Sequence, residues 1–101
     1  MISGGISNVI QRRIFVSGRV QGVGFRAFVY RKARSLSGLR GFVRNLSDGR
    51  VEAVFVGSQE SVSKMFEYCR KGPLAARVVS CEMIEENPDF GLPEFEIFKG
   101  N

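Results

Sequence analysis

The 101-residue chain contains no histidine. That gap removes Ser-His-Asp and Cys-His nucleophilic catalysis and leaves too few soft ligands for a zinc site. Cysteine is scarce as well. Cys69 and Cys81 lie in segments of different type and read as two buried, reduced thiols of a cytoplasmic protein, although a single bridge between them stays open. No apolar run reaches the ~18 residues of a membrane-spanning helix, so no membrane partner is expected. The Gly/Ser-rich start lacks the cationic opening and long apolar block of a secretory signal. Residues 1–12 are expected to be a flexible tail, and residues 13–101 one domain.

Acid is nearly missing from the first half. Residues 1–50 hold ten Arg and Lys against Asp48 alone, a balance of +9, while residues 51–101 hold five against nine acids, a balance of −4. The two sum to the net charge of +5. A basic first half implies an anionic partner, which charge alone leaves open between a small phosphate and a polynucleotide. Hydrophobic residues make up 44% of the chain, a globular composition with enough length for one core.

Residues 13–19 alternate apolar and polar with β-branched members and predict a strand. From Phe25, the apolar residues Phe28, Val29, Ala33 and Leu36 recur at helical spacing, and Gly38 ends that helix. A second strand is expected over 39–45, a hairpin turn at Asp48-Gly49, and a returning strand over 51–56. Ser58 can cap a second helix whose stripe is Val62, Met65, Phe66 and Cys69, with Gly72-Pro73 closing it. A fourth strand is expected over 78–84, and residues 94–98 alternate as a short fifth strand or a sheet-edge extension. The order β-α-β-β-α-β is the ferredoxin-like arrangement. It predicts an α+β fold, with two helices on one face of a mainly antiparallel four- to five-stranded sheet and the other face partly open.

The first strand leads into the helix through "GRVQGVGFR", residues 18–26. Glycine has no Cβ, so a ligand oxygen can come close to the backbone. Successive N–H groups can then converge on one anion, and the helix start adds unpaired N–H groups and a positive dipole end. Arg26, in the first helical turn, carries a flat fork that can grip two phosphate oxygens. The loop and Arg26 together suit one phosphate. The plainer reading is a tight turn with Arg26 a solvated charge. A dinucleotide fingerprint, Gly22 to Ala27, is also matched, but the chain is too short for a doubly wound sheet and Asp48 sits in a hairpin turn. No Gly-Lys-Ser/Thr follows the glycines, which excludes a Walker loop. Asn45 ends the second strand. Its side-chain amide could hold a water against bound phosphate, or it could simply open the hairpin by bonding to nearby backbone.

"GRVQGVGFR", then "GFVRNLSDGRVE" (41–52), "GPLAARV" (72–78) and "FEIF" (95–98) closely resemble the acylphosphatases. The likeness covers roughly residues 13–100, with two separate motifs in the family's order. It implies a small ferredoxin-like enzyme that hydrolyses acyl phosphates with no metal and no cofactor, releasing a carboxylate and inorganic phosphate. It places the phosphate loop on Gln21, Gly22, Val23, Gly24 and Phe25, the phosphate-binding arginine on Arg26 and the water-positioning asparagine on Asn45. Ser47 and Leu74 stand where many relatives have proline. The same motifs open a large hydrogenase-maturation protein; this chain ends at Asn101, so a stand-alone, monomeric enzyme is expected. The competing expectation is an RNA-binding or non-catalytic ferredoxin-like module, with Phe15, Phe42 and Phe55 stacking bases on the open sheet face. "RGFVRN" (40–45) echoes an RNA-binding core motif only up to its third residue. Nucleic acid is therefore not the expected partner.

Overall fold

The computed structural model describes residues 9–100. The elements are β1 (Val9–Arg19), α1 (Phe25–Arg34), β2 (Arg40–Asn45), β3 (Val51–Ser58), α2 (Gln59–Lys71), β4 (Arg77–Glu86) and β5 (Glu96–Ile97). One sheet holds all five strands in the order β4-β1-β3-β2-β5. β1 lies antiparallel to both β3 and β4, β2 antiparallel to β3, and β5 parallel to β2. This is the expected ferredoxin-like fold, with the short β5 added to the β2 edge.

The helices form where the apolar stripes fall. Phe25, Val29 and Ala33 are the buried residues of α1, and Val62, Met65 and Cys69 those of α2. Both sets join Ile14, Val16, Val43, Ala53, Phe55 and Phe95 in one core cluster, so the two helices share a sheet face. Ser58 caps α2, its hydroxyl accepting the Ser61 N–H at 3.1 Å. Gly72 ends the helix with φ +72°, and its N–H donates to the Tyr68 carbonyl at 2.8 Å.

β1 begins at Val9, four residues before the expected start, so 9–12 of the expected tail belong to the sheet. The reason is long-range. Gln11 is buried, its Nε2 donates to Glu86 Oε1 at 2.7 Å, and its Oε1 accepts the Asp89 N–H at 2.7 Å. Residues 1–8 of the expected tail lie outside the described residues.

The second sheet face is occupied by an ionic network. Glu52 is 4% exposed, and its carboxylate accepts from Arg13 on β1 and, at 2.6 Å, from Arg44 Nε on β2. Arg13 Nε also donates to Glu86 on β4 at 2.6 Å. The aromatics assigned to base stacking are engaged elsewhere. Phe55 is fully buried on the helix side and stacks on Phe95 at 5.2 Å. Phe42 is 8% exposed and stacks on Phe98 at 4.5 Å, and the Arg50 guanidinium covers the Phe15 ring at 4.6 Å. An RNA-reading face needs free aromatic platforms, so the RNA alternative finds no support here.

Candidate active site

The turn between β1 and α1 and the end of β2 meet around one cavity. It is lined by Val20, Gly22, Gly24, Phe25, Arg26, Ala27, Asn45 and Ile97, with a volume of about 240 Å³. That lies just below the ~300–1,000 Å³ of sites for drug-sized ligands and suits a small anion with a modest attached group.

The turn alternates. Gly22 and Gly24 face the cavity, while Val23 packs against the core and Gln21 reaches into the β2–β3 hairpin. Both glycines are left-handed, with φ +75° and +82°, and a Cβ at either would meet nothing within 4 Å. The backbone conformation, rather than space inside the protein, calls for glycine there. Gly24 is the N-cap of α1, so no side chain caps the helix, and no acid stands in its first turn. The first intrahelical bond runs from the Phe28 N–H to the Gly24 carbonyl at 3.0 Å. The N–H groups of Phe25, Arg26 and Ala27 precede it and have no partner within the helix. They leave a positive dipole end beside the cavity. Among the described residues, no ion pair or side-chain hydrogen bond engages Arg26.

Asn45 completes the wall. Its Oδ1 is buried and has no hydrogen-bond partner among the described residues. The hairpin it precedes is closed by other groups: the Leu46 N–H donates to the Arg50 carbonyl at 2.8 Å, and Asp48 Oδ1 accepts the Arg50 N–H at 3.1 Å. A buried carbonyl without a donor is costly, about 1–3 kcal/mol, unless something in the cavity supplies one.

Of the seven expected site residues, Gly22, Gly24, Phe25, Arg26 and Asn45 line the cavity, whereas Gln21 and Val23 do not. Val20, Ala27 and Ile97 line it without having been expected. Val20 and Ala27 flank the loop in sequence. Ile97 arrives through the parallel pairing of β5 with β2, where Val43 and Ile97 are partners.

The acylphosphatase family model matches residues 12–97. The chain belongs to the acylphosphatase family. It is 50% identical over 91 residues to the acylphosphatase of Trichormus variabilis, covering 90% of this chain and 88% of that protein. It is 47% identical over 81 residues to that of Chloroflexus aurantiacus, covering 80% and 87%. The crystal structure of acylphosphatase from Bacillus subtilis superposes with a TM-score of 0.82 at 37% identity, covering 88% of this chain and 98% of that one. Family and fold thus agree, and the chain is an enzyme rather than a non-catalytic module.

Proposed function

We propose that the chain hydrolyses acyl phosphates without a metal ion: the main-chain amides of the cavity-lining Gly22, Gly24 and Phe25, together with Arg26, hold the phosphoryl group, and Asn45 aims the attacking water. Family membership supplies the reaction class. The observation that carries the mechanism is the buried Asn45 Oδ1, without a partner among the described residues, sharing one cavity with Arg26 and an uncapped helix start.

An acyl phosphate is a mixed anhydride whose leaving group departs as a carboxylate, so no general acid is needed. Phosphoryl transfer through a loose transition state calls for positioning and charge stabilisation. Backbone N–H groups and the Arg26 fork stabilise the three equatorial oxygens as charge spreads over them. A water donating one hydrogen to Asn45 Oδ1 satisfies that orphaned acceptor and presents a lone pair to phosphorus. Among the described residues no side-chain base lines the cavity, so the water's proton passes to the substrate's own oxygens. The lining offers hydrogen-bond donors, with Asn45 Oδ1 its one side-chain acceptor, a composition that favours an anion over a cation. Two cysteines in segments of different type, with no disulfide framework in the sequence, suit a reducing compartment such as the cytoplasm.

Benzoyl phosphate hydrolysis in excess EDTA tests the reading. Turnover should persist under the chelator, inorganic phosphate should inhibit competitively, and Arg26→Ala should abolish both turnover and inhibition. Activity that vanishes with EDTA and returns with Mg²⁺ would refute the metal-free mechanism.

A further inference from the structure

We propose that Gln21 is a positioning residue for the hydrolysis: its side-chain amide sets the spacing between the phosphate-binding turn and Asn45. The proposal rests on the functional reading above. The two halves of the site belong to different segments. The phosphate amides lie between β1 and α1, and Asn45 ends β2. In the sheet β1 and β2 are not neighbours, since β3 lies between them. Backbone pairing alone therefore ties the two halves together only at second hand.

Gln21 makes the direct tie. Its Nε2 donates to the Leu46 carbonyl at 2.7 Å and to the Arg50 carbonyl at 2.9 Å, which occupies both amide hydrogens. Leu46 follows Asn45 in the chain, and Gly22 follows Gln21. The Arg50 carbonyl also accepts the Leu46 N–H at 2.8 Å, so the three groups form one knot at the mouth of the hairpin. Only a primary amide of this length supplies two donors there without charge. Methionine fills similar space with no donor, and an ionised glutamate would face two carbonyl oxygens with acceptors.

In-line attack is sensitive to this spacing, because a misplacement of about 1 Å costs on the order of 10²-fold in rate. Gln21→Met should lower kcat about 10–100-fold. Inhibition by inorganic phosphate should change little, since the amides and Arg26 remain. If Gln21 acts through Asn45, the two losses must not multiply: in the Asn45→Ala background, Gln21→Met should cost about twofold or less. Gln21→Glu provides a conservative rescue. Its kcat relative to the unmodified enzyme should rise as pH falls and the carboxyl gains a proton to donate, a profile that Gln21→Met should lack.

Steady-state kinetics on benzoyl phosphate for the four variants and the parent, with circular dichroism to confirm folding, decide the matter. Losses that multiply in the double variant overturn the proposal, as does a phosphate Ki that rises in step with the fall in kcat. So does a Gln21→Met enzyme with unchanged kcat. Arg26→Ala serves as the control. If it is inactive while the Gln21 variants turn over normally, the positioning role alone falls; if it is fully active, the functional reading falls.

Discussion

A guanidinium and an ammonium carry the same charge with different shapes, and Arg26 makes that difference measurable. Its planar fork can span two phosphoryl oxygens, whereas a lysine offers one point charge. Arg26→Lys should therefore lose at least 10²-fold in kcat/KM, in the range found for removal of one donor to a developing charge. Benzoyl phosphate kinetics check this, and near-normal turnover in the lysine variant would contradict bidentate binding. Asn45→Ala should separate the two functions, with kcat down about 10²-fold while competitive inhibition by phosphate holds. The thiols should behave as spectators. Burial pushes the Cys69 thiol far up and the Cys81 thiol up to about 11, so about one Cys81 in a thousand is thiolate at pH 8. Alkylation by iodoacetamide at pH 8 should be slow in the native protein and fast in urea, with rapid native reaction at Cys81 as the contrary result. At this scale the sequence showed which residues cluster but not where they point. Gln21 and Val23 sit among the phosphate-loop residues in sequence, yet the alternation of the turn sends one to the hairpin and the other to the core.

Elements built on local periodicity were legible, and those built on distant partners were not. Both helices, the Asp48-Gly49 turn and the Ser58 cap follow from short windows of sequence. The start of β1 does not, because Val9 to Arg12 joins the sheet through Ser58, Glu86 and neighbouring residues far along the chain. Phe55 was placed on the wrong face for a related reason. β3 is the central strand, and Val51 through Gly57 are all buried. Around Phe55 its residues from Ala53 to Val56 are all apolar, and a run without alternation carries no facing information. The helix ends allow a sharper test. Gly24 and Gly72 both have positive φ, +82° and +72°, but Gly24 is left-handed with ψ +17° while Gly72 has ψ +176°, a region essentially closed to other residues, and their surroundings differ too. A Cβ at Gly24 meets open space, while one at Gly72 would lie 2.8 Å from Phe25 Cε2. Gly24→Ala should cost about 1–2 kcal/mol from backbone strain alone. Gly72→Ala should cost about 1–3 kcal/mol more, because its backbone region is closed to residues with a Cβ and the buried Phe25 ring at the start of α1 must also move. Urea denaturation of both variants compares them directly, and equal losses would mean that neither the backbone region nor the Phe25 ring adds strain at Gly72.

Across the whole molecule, the lopsided charge of the sequence becomes an internal match. Arg12, Arg13, Arg34 and Arg44 from the basic half pair with Glu85, Glu86, Glu94 and Glu52 from the acidic half. Four of the ten cations in the basic half are thus matched within the fold, and Arg26, which no ion pair engages among the described residues, stands at a cavity sized for a small anion. The same pairing makes stability depend on pH. Its hydrogen bond with Arg13 holds the Glu86 carboxyl below its ordinary range, helped by the Gln11 amide. A carboxyl with a lower pKa in the folded state takes up protons less readily there than in the unfolded chain. Its stabilising contribution is therefore complete above the unfolded value of about 4.3 and is lost as pH falls through the lower folded value. Glu86→Gln keeps an acceptor for Arg13 but cannot titrate. Urea midpoints from pH 7 to pH 3 should fall for both proteins, since other carboxylates titrate, but the decline below about pH 4.5 should be shallower in Glu86→Gln. At neutral pH the variant should be the weaker of the two, having exchanged a charge-assisted bond for a neutral one. Parallel curves over the whole range would mean that the Arg13–Glu86 pair contributes nothing to acid sensitivity, leaving the network a matter of sheet geometry alone.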